Sequence, residues 1–249
     1  MTEQPGIILE ICVDSPDAAF LAEANGAGRI ELCAALDVGG ITPSEGMIRK
    51  VRQGLQIPLM VLIRPRMGDF CNSKDELAVM KADVMRAKEL GADGVVIGML
   101  LPDGSIDRDG TQQLVQLAQP MSVTFHRAFD FCVNPLQALE ELISEGINRI
   151  LTSGQRQTAM QGASLIRELM DKAGERVIVM PGSGINSGNV LELLELTHAR
   201  EIHLSASHIV AGGMRYHNQY LSLQGGIGDD ASVRTLNVAE LQKIKELIR

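Results

Sequence analysis

Three side chains able to do chemistry stand together just past an apolar run: His126, Arg127 and Asp130 follow Ser122-Val123-Thr124-Phe125. Imidazole titrates near neutral pH, which makes His126 a candidate general acid or base, with Asp130 able to orient or charge it if the loop folds back. The alternative is a histidine hydrogen-bonded to backbone. Two acids, Glu10 and Glu31, sit inside similar apolar runs, each two residues before a cysteine, Cys12 or Cys33. Residues two apart on a strand share a face, so each carboxylate lies on the side of its cysteine. Buried carboxylates need partners, and Arg64 or Arg127 would supply them as a structural network. If the two acids instead face each other without an arginine between them, one is pushed toward its neutral form and becomes a proton donor.

Arg64 and Arg66, at the end of the run 58–63, would clamp an anion or stabilise developing charge. Two stretches of small residues, Pro181-Gly182-Ser183-Gly184-Ile185 and Ser205-Ala206-Ser207, let backbone N–H groups approach an anion. Gly182, Ser183, Gly184, Ser205 and Ala206 are therefore candidate anion-binding residues, although glycine there is also ordinary turn chemistry. Cys12 and Cys33 are soft ligands that suit Cu(I) or Zn, without CxxC spacing. Buried inert thiols, or a reversible redox pair, are the alternatives. Cys71 and Cys132 also fall at the ends of apolar runs. No lysine falls at such an end, which leaves no Schiff-base candidate, and the chain has no P-loop and no H-x-H motif.

The elements that must position these groups repeat one layout of apolar strand, polar tip and capped helix. Strands are expected near 7–12, 29–33, 58–63, 94–98, 122–125, 149–151, 177–180 and 201–204. Helix starts are signalled by Ser15-Pro16-Asp17, by a capping box in Thr42-Pro43-Ser44-Glu45, and by Ser73 with Glu76. Further helices are expected over about 108–117, 136–146, 158–172, after an Asn186 cap, and over 238–248 after an Asn237 cap. Eight such units in 249 residues, with no linker and no early G-x-G-x-x-G, give an α/β fold: a (β/α)8 TIM barrel forming one domain over 1–249. Its C-terminal rim would gather the residues named above. The long Gly-rich segment after strand eight, 212–236, would serve as a lid over that rim or pack at a dimer interface.

Composition narrows the function classes. A net charge of −8, with Trp 0 and Tyr 2, lacks the basic footprint and stacking platforms of a nucleic-acid binder. No apolar run is long enough for a membrane span, and residues 1–6 have neither a basic nor an apolar signal region, so a cytoplasmic location is expected.

Several ordered motifs together resemble the CutC family, which is named for copper homeostasis. They are Glu31-Leu32-Cys33-Ala34 with Gly39-Gly40-Ile41-Thr42-Pro43-Ser44, Ile63-Arg64-Pro65-Arg66 with Gly68-Asp69-Phe70, Thr124 to Asp130, Leu151-Thr152-Ser153-Gly154-Gln155, and Met214-Arg215-Tyr216 with Asn218. The resemblance implies a cytoplasmic TIM barrel associated with copper handling, a homodimer or higher homo-oligomer, with copper on Cys12 and Cys33. The residues themselves also allow an enzyme without a cofactor, an isomerase, lyase or hydrolase acting on a small phosphorylated or carboxylated metabolite. Glu10, Glu31, Arg64, His126 and Asp130 would then do the chemistry and Arg66 would help hold the anion.

Overall fold

Short runs rich in Val, Ile and Leu form parallel strands because both of their faces find cover, barrel interior on one side and helices on the other. The computed structural model describes residues 6–216, 218, 220–221 and 230–249. Its strands are β1 Ile8–Val13, β2 Arg29–Leu32, β3 Leu59–Leu62, β4 Gly94–Ile97, β5 Ser122–Phe125, β6 Arg149–Thr152, β7 Ile178–Pro181 and β8 Glu201–Leu204. Each pairs with its neighbour in chain order, and β1 also pairs with β8. The ring is completed by a bridge between Gly182 and His203. Helices α1 Pro16–Ala24, α2 Glu45–Gly54, α3 Lys74–Glu89, α4 Arg108–Ala118, α5 Pro135–Ser144, α6 Ala163–Ala173, α7 Val190–Thr197 and α8 Val238–Leu247 follow the strands in turn. This is the expected single-domain TIM barrel. No helix among the described residues is long and apolar enough to cross a membrane.

Strand alternation sorts the core. Leu9, Ile11 and Val13 of β1 join the large apolar layer under the helices, as do Ile30 and Leu32 of β2. The intervening residues point into the barrel, where Cys12, Cys33, Met60, Leu62 and Val96 form a small separate cluster. The register sets Glu10 beside Arg29 and beside His203, and Cys12 beside Glu31.

Most helix starts follow their sequence signals. Ser15 caps α1, Ser73 and Glu76 form the full capping box of α3, and Asn237 caps α8. Three starts differ. The cap of α2 is Ser44, because the Thr42 hydroxyl is used instead to accept the Arg64 N–H at 2.9 Å. Helix α6 begins at Ala163 rather than near 158, since Gly154 and Gly162 approach too closely for any Cβ and hold 154–162 as a loop. Helix α7 begins after Asn189, with Asn186 accepting the Gly188 N–H in the turn before it.

The segment expected to be a lid or interface is partly regular. Antiparallel strands β9 Ser207–Ala211 and β10 Ser232–Leu236 form a hairpin, and Arg234 of β10 reaches the mouth and pairs with Asp37. Residues 217, 219 and 222–229 of the expected lid lie outside the described residues.

One glycine positions a site residue. A Cβ on Gly98, just past β4, would lie 2.2 Å from Cε1 of His126 and 2.9 Å from Cβ of Ala128. Gly98→Ala should therefore cost about 1–3 kcal/mol by overpacking and tilt the His126 ring, read as a lower urea midpoint and a shifted imidazole resonance.

Candidate functional site

Charged side chains enter the barrel from the starts of the strands as well as from their ends. Arg29 pairs with both Glu10 and Glu201, and Arg149 pairs with Glu201 at 2.6 Å and donates to Thr124 Oγ1 at 3.3 Å. All four charged groups are buried, Glu10 completely. Burial alone would raise the Glu10 pKa, but His203 at 2.8 Å and Arg29 outweigh it and hold the carboxyl down at about 2. The Glu201 carboxyl is likewise lowered by its arginines against its burial. Glu10 thus has structural partners, and they are Arg29 and His203 rather than Arg64 or Arg127.

Above this layer stands a less balanced group. Glu31 Oε1 accepts from the Cys12 thiol at 3.3 Å, while Oε2 is buried without a hydrogen-bond partner among the described residues, 4.0 Å from His203 Nδ1. Burial raises the Glu31 pKa, with Glu10 adding to it and His203 opposing. The Cys12 and Cys33 sulfurs are 3.8 Å apart. The hydrogen bond between the thiols, burial and the Glu31 charge all push the Cys12 thiol well above its ordinary range. Ligand atoms of Cys12, Glu31 and His203 all lie within 4.8 Å of one another, a spacing that one metal ion can span. His203 itself is raised, because Glu31 and Glu10 outweigh its burial.

These groups open onto a cavity of about 1250 Å³ at the C-terminal mouth, also lined by Arg64, His126 and the tips of β7 and β8. Arg64 donates to the carbonyls of Val38, Gly40 and Gly68, so among the described residues it holds loop backbone rather than a carboxylate. Arg66 is not presented to the mouth. Its five N–H groups are taken by Glu76 in the first turn of α3, by Asp69, and by the carbonyls of Met67, Asp69 and Cys71. Asp130 does not orient His126. A short 3₁₀ turn, Arg127–Phe131, aims it at the exit of β6, where it accepts from Ser153 and Gln155 N–H groups and pairs with Arg127 at 2.8 Å. His126 is buried, and burial together with the Arg64 charge lowers its pKa to about 3. The neutral form of the imidazole is therefore the favoured one near pH 7.

At the tip of β7, Gly182 gives its N–H to Thr152, and the Ser183 hydroxyl donates to the Gln157 carbonyl. The N–H groups of Ser183 and Gly184 have no acceptor among the described residues, and both residues adopt positive φ. Ser205 accepts from Ser207, and Ala206 gives its carbonyl to Asn237 N–H. Cys71 is half-buried, and Cys132 sits at the exit of β5 with its thiol raised to about 12 by burial and by Asp130.

Sequence reasoning passed over Arg29, Arg149 and Glu201 and gave His203 no role. The signal was the same two-residue parity that paired Glu31 with Cys33, since Arg29 precedes Glu31 by two and Glu201 precedes His203 by two.

Fold and site together define a TIM-barrel protein with a thiol, carboxylate and imidazole cluster at its C-terminal mouth. The CutC family profile matches residues 7–208. A copper homeostasis protein cutC homolog from Mus musculus is 46% identical over 242 residues, 97% of this chain and 88% of that protein, and its Homo sapiens counterpart is 44% identical over the same shares. A CutC crystal structure from Streptococcus agalactiae superposes with a TM-score of 0.77 at 31% identity, covering 80% of this chain and 98% of that one. The chain belongs to the CutC family. A phosphoribosylanthranilate isomerase from Thermotoga maritima, at 12% identity and a TM-score of 0.58 over 96% of this chain and 97% of that one, shares the barrel fold alone.

Two measurements probe these electrostatics. Arg29→Met leaves Glu10 and Glu201 buried with fewer counter-charges and should cost about 3–5 kcal/mol in denaturant unfolding. For His126 the folded pKa lies below the unfolded one, so between about 6.5 and about 3 the unfolded chain binds more protons. Its contribution is full above 6.5 and is lost as pH falls, by up to about 1.4 kcal/mol per pH unit. In His126→Phe, stability measured at about pH 7 and about pH 5 should differ less than in the parent protein.

Proposed function

We propose that this protein serves copper homeostasis by binding Cu(I) at the barrel mouth through Cys12 and Cys33, with His203 or Glu31 completing the site. The observation that carries this reading is the 3.8 Å separation of the two sulfurs beside a third and fourth possible ligand. Two metal–sulfur bonds of about 2.3 Å bridge such a gap at an angle of about 110°, which suits a centre with one further ligand. Thiolates and imidazole are the ligands that a soft monovalent copper prefers over oxygen. The names of the mammalian relatives support the same assignment.

The site's protonation gives the binding its character. Without metal, Cys12 holds its proton against a neighbouring thiol, burial and Glu31. Copper must displace thiol protons, so affinity rises with pH and each binding event releases protons. Under reducing, anaerobic conditions and in competition with a Cu(I) chelator, the protein should take up about one copper per chain. The double variant Cys12→Ser, Cys33→Ser should take up none, and unchanged uptake in that variant would remove this reading.

A further inference from the structure

At the exits of β3 and β5, two buried nitrogen atoms have no hydrogen-bond partner among the described residues: Arg64 Nε and His126 Nε2. Both side chains are at least nine-tenths buried, and both line the cavity. Of the five N–H groups of Arg64, two on Nη1 go to Val38 and Gly40 and one on Nη2 goes to Gly68. One N–H on Nη2 and the one on Nε are left over. The guanidinium makes no ion pair among the described residues, and the nearby acids are committed elsewhere, Asp69 to Arg66 and Asp37 to Arg234.

The imidazole adds a third donor. The Ala128 N–H donates to His126 Nδ1 at 3.1 Å, so Nδ1 is the acceptor and the proton of the neutral ring sits on Nε2. Buried donors without acceptors are uncommon in folded proteins and call for an explanation such as a missing ligand. Both orphans share one neighbour, Phe70, whose ring centroid lies 5.1 Å from the imidazole and 5.2 Å from Arg64 Cζ. The Phe70 backbone is fixed, its carbonyl accepting from Leu100 N–H at 2.9 Å. Its half-buried ring packs against the core on one side and on the other meets Phe131, which is 66% exposed, with ring centroids 5.4 Å apart.

We propose that the mouth binds a small organic acid through one carboxylate, held by the free N–H groups of Arg64 and by Nε2–H of His126, with the Phe70 ring turning aside to admit it. A planar carboxylate matches the fork of an arginine edge, and an imidazole N–H meets a remaining lone pair. The cavity has space for the rest of a metabolite-sized molecule. The residues involved are distinct from the copper ligands, so the two assignments stand or fall separately.

Isothermal titration with malonate and with inorganic phosphate, on the full chain, tests this. Malonate should bind more tightly than phosphate. His126→Phe removes one donor to a charged acceptor and should weaken malonate by roughly tenfold. Phe70→Ala should bind malonate several-fold more tightly than the parent, because no ring has to be displaced. This arm still decides if His126→Phe does not fold. Absence of malonate binding to both the parent and Phe70→Ala at millimolar concentration overturns the proposal. So does a folded His126→Phe that binds like the parent, or a phosphate affinity above that of malonate.

Discussion

The buried pairing of Glu10 and Glu201 with Arg29 and Arg149 is the constraint on which the barrel interior depends. Barrel layers are ordinarily filled by branched aliphatic side chains. Here two carboxylates and two guanidiniums fill one layer, and their charges balance. Breaking such a network is costly because each member left behind is a desolvated charge. The network also fixes what lies above it: with both arginines paired below, Glu31 forms no ion pair with a guanidinium among the described residues, and His203, 4.0 Å away, and the more weakly felt Arg29 charge are what oppose its burial. Burial first, and then the Glu10 charge, raises Glu31, while the Cys33 hydrogen bond, burial and the Glu31 charge raise Cys12.

The mouth is therefore polarised. Strands β1, β2 and β8 present two thiols, a carboxylate and an imidazole, of which Cys12, Glu31 and His203 hold their protons more tightly than usual. The exits of β3 and β5 present N–H donors without an acidic partner, Arg64 and a neutral His126. One side favours a cation that displaces protons, the other an anion that accepts hydrogen bonds, and a single cavity joins them. Barrels support such mixed mouths because each strand contributes its own tip and the fold does not depend on which residue stands there.

Much of this was legible from local patterns. The eight strands, the barrel, and the caps at Ser15, Ser73 and Asn237 follow from periodicity and from side-chain capping, which act over a few residues. What was not legible depends on closure. Glu201 meets Arg29 and Arg149 only because β8 returns to β1, and no spacing in the chain records that meeting. The same holds for Asp130, whose direction is set by a 3₁₀ turn that sends it to β6 instead of back to His126. Thr42 lost its capping role to a neighbouring strand's N–H, a tertiary competitor that a capping motif cannot display.

Charge balance gives His203 a place that does not depend on whether it touches a metal. If two thiol protons leave and one monovalent copper arrives, the site becomes more negative by one charge, beside a Glu31 that already lacks a full partner. His203 is raised by Glu31 and Glu10, so it can keep a proton as that charge appears. A protonated imidazole cannot ligate, whereas a neutral one can use Nε2, since Nδ1 is held by Glu10 at 2.8 Å. With copper bound as proposed, His203 would serve the cluster either as counter-charge or as ligand. The hydrogen bond between His203 and Glu10 and the charge of Glu31 bear on which, and Glu10 belongs to the same buried network below.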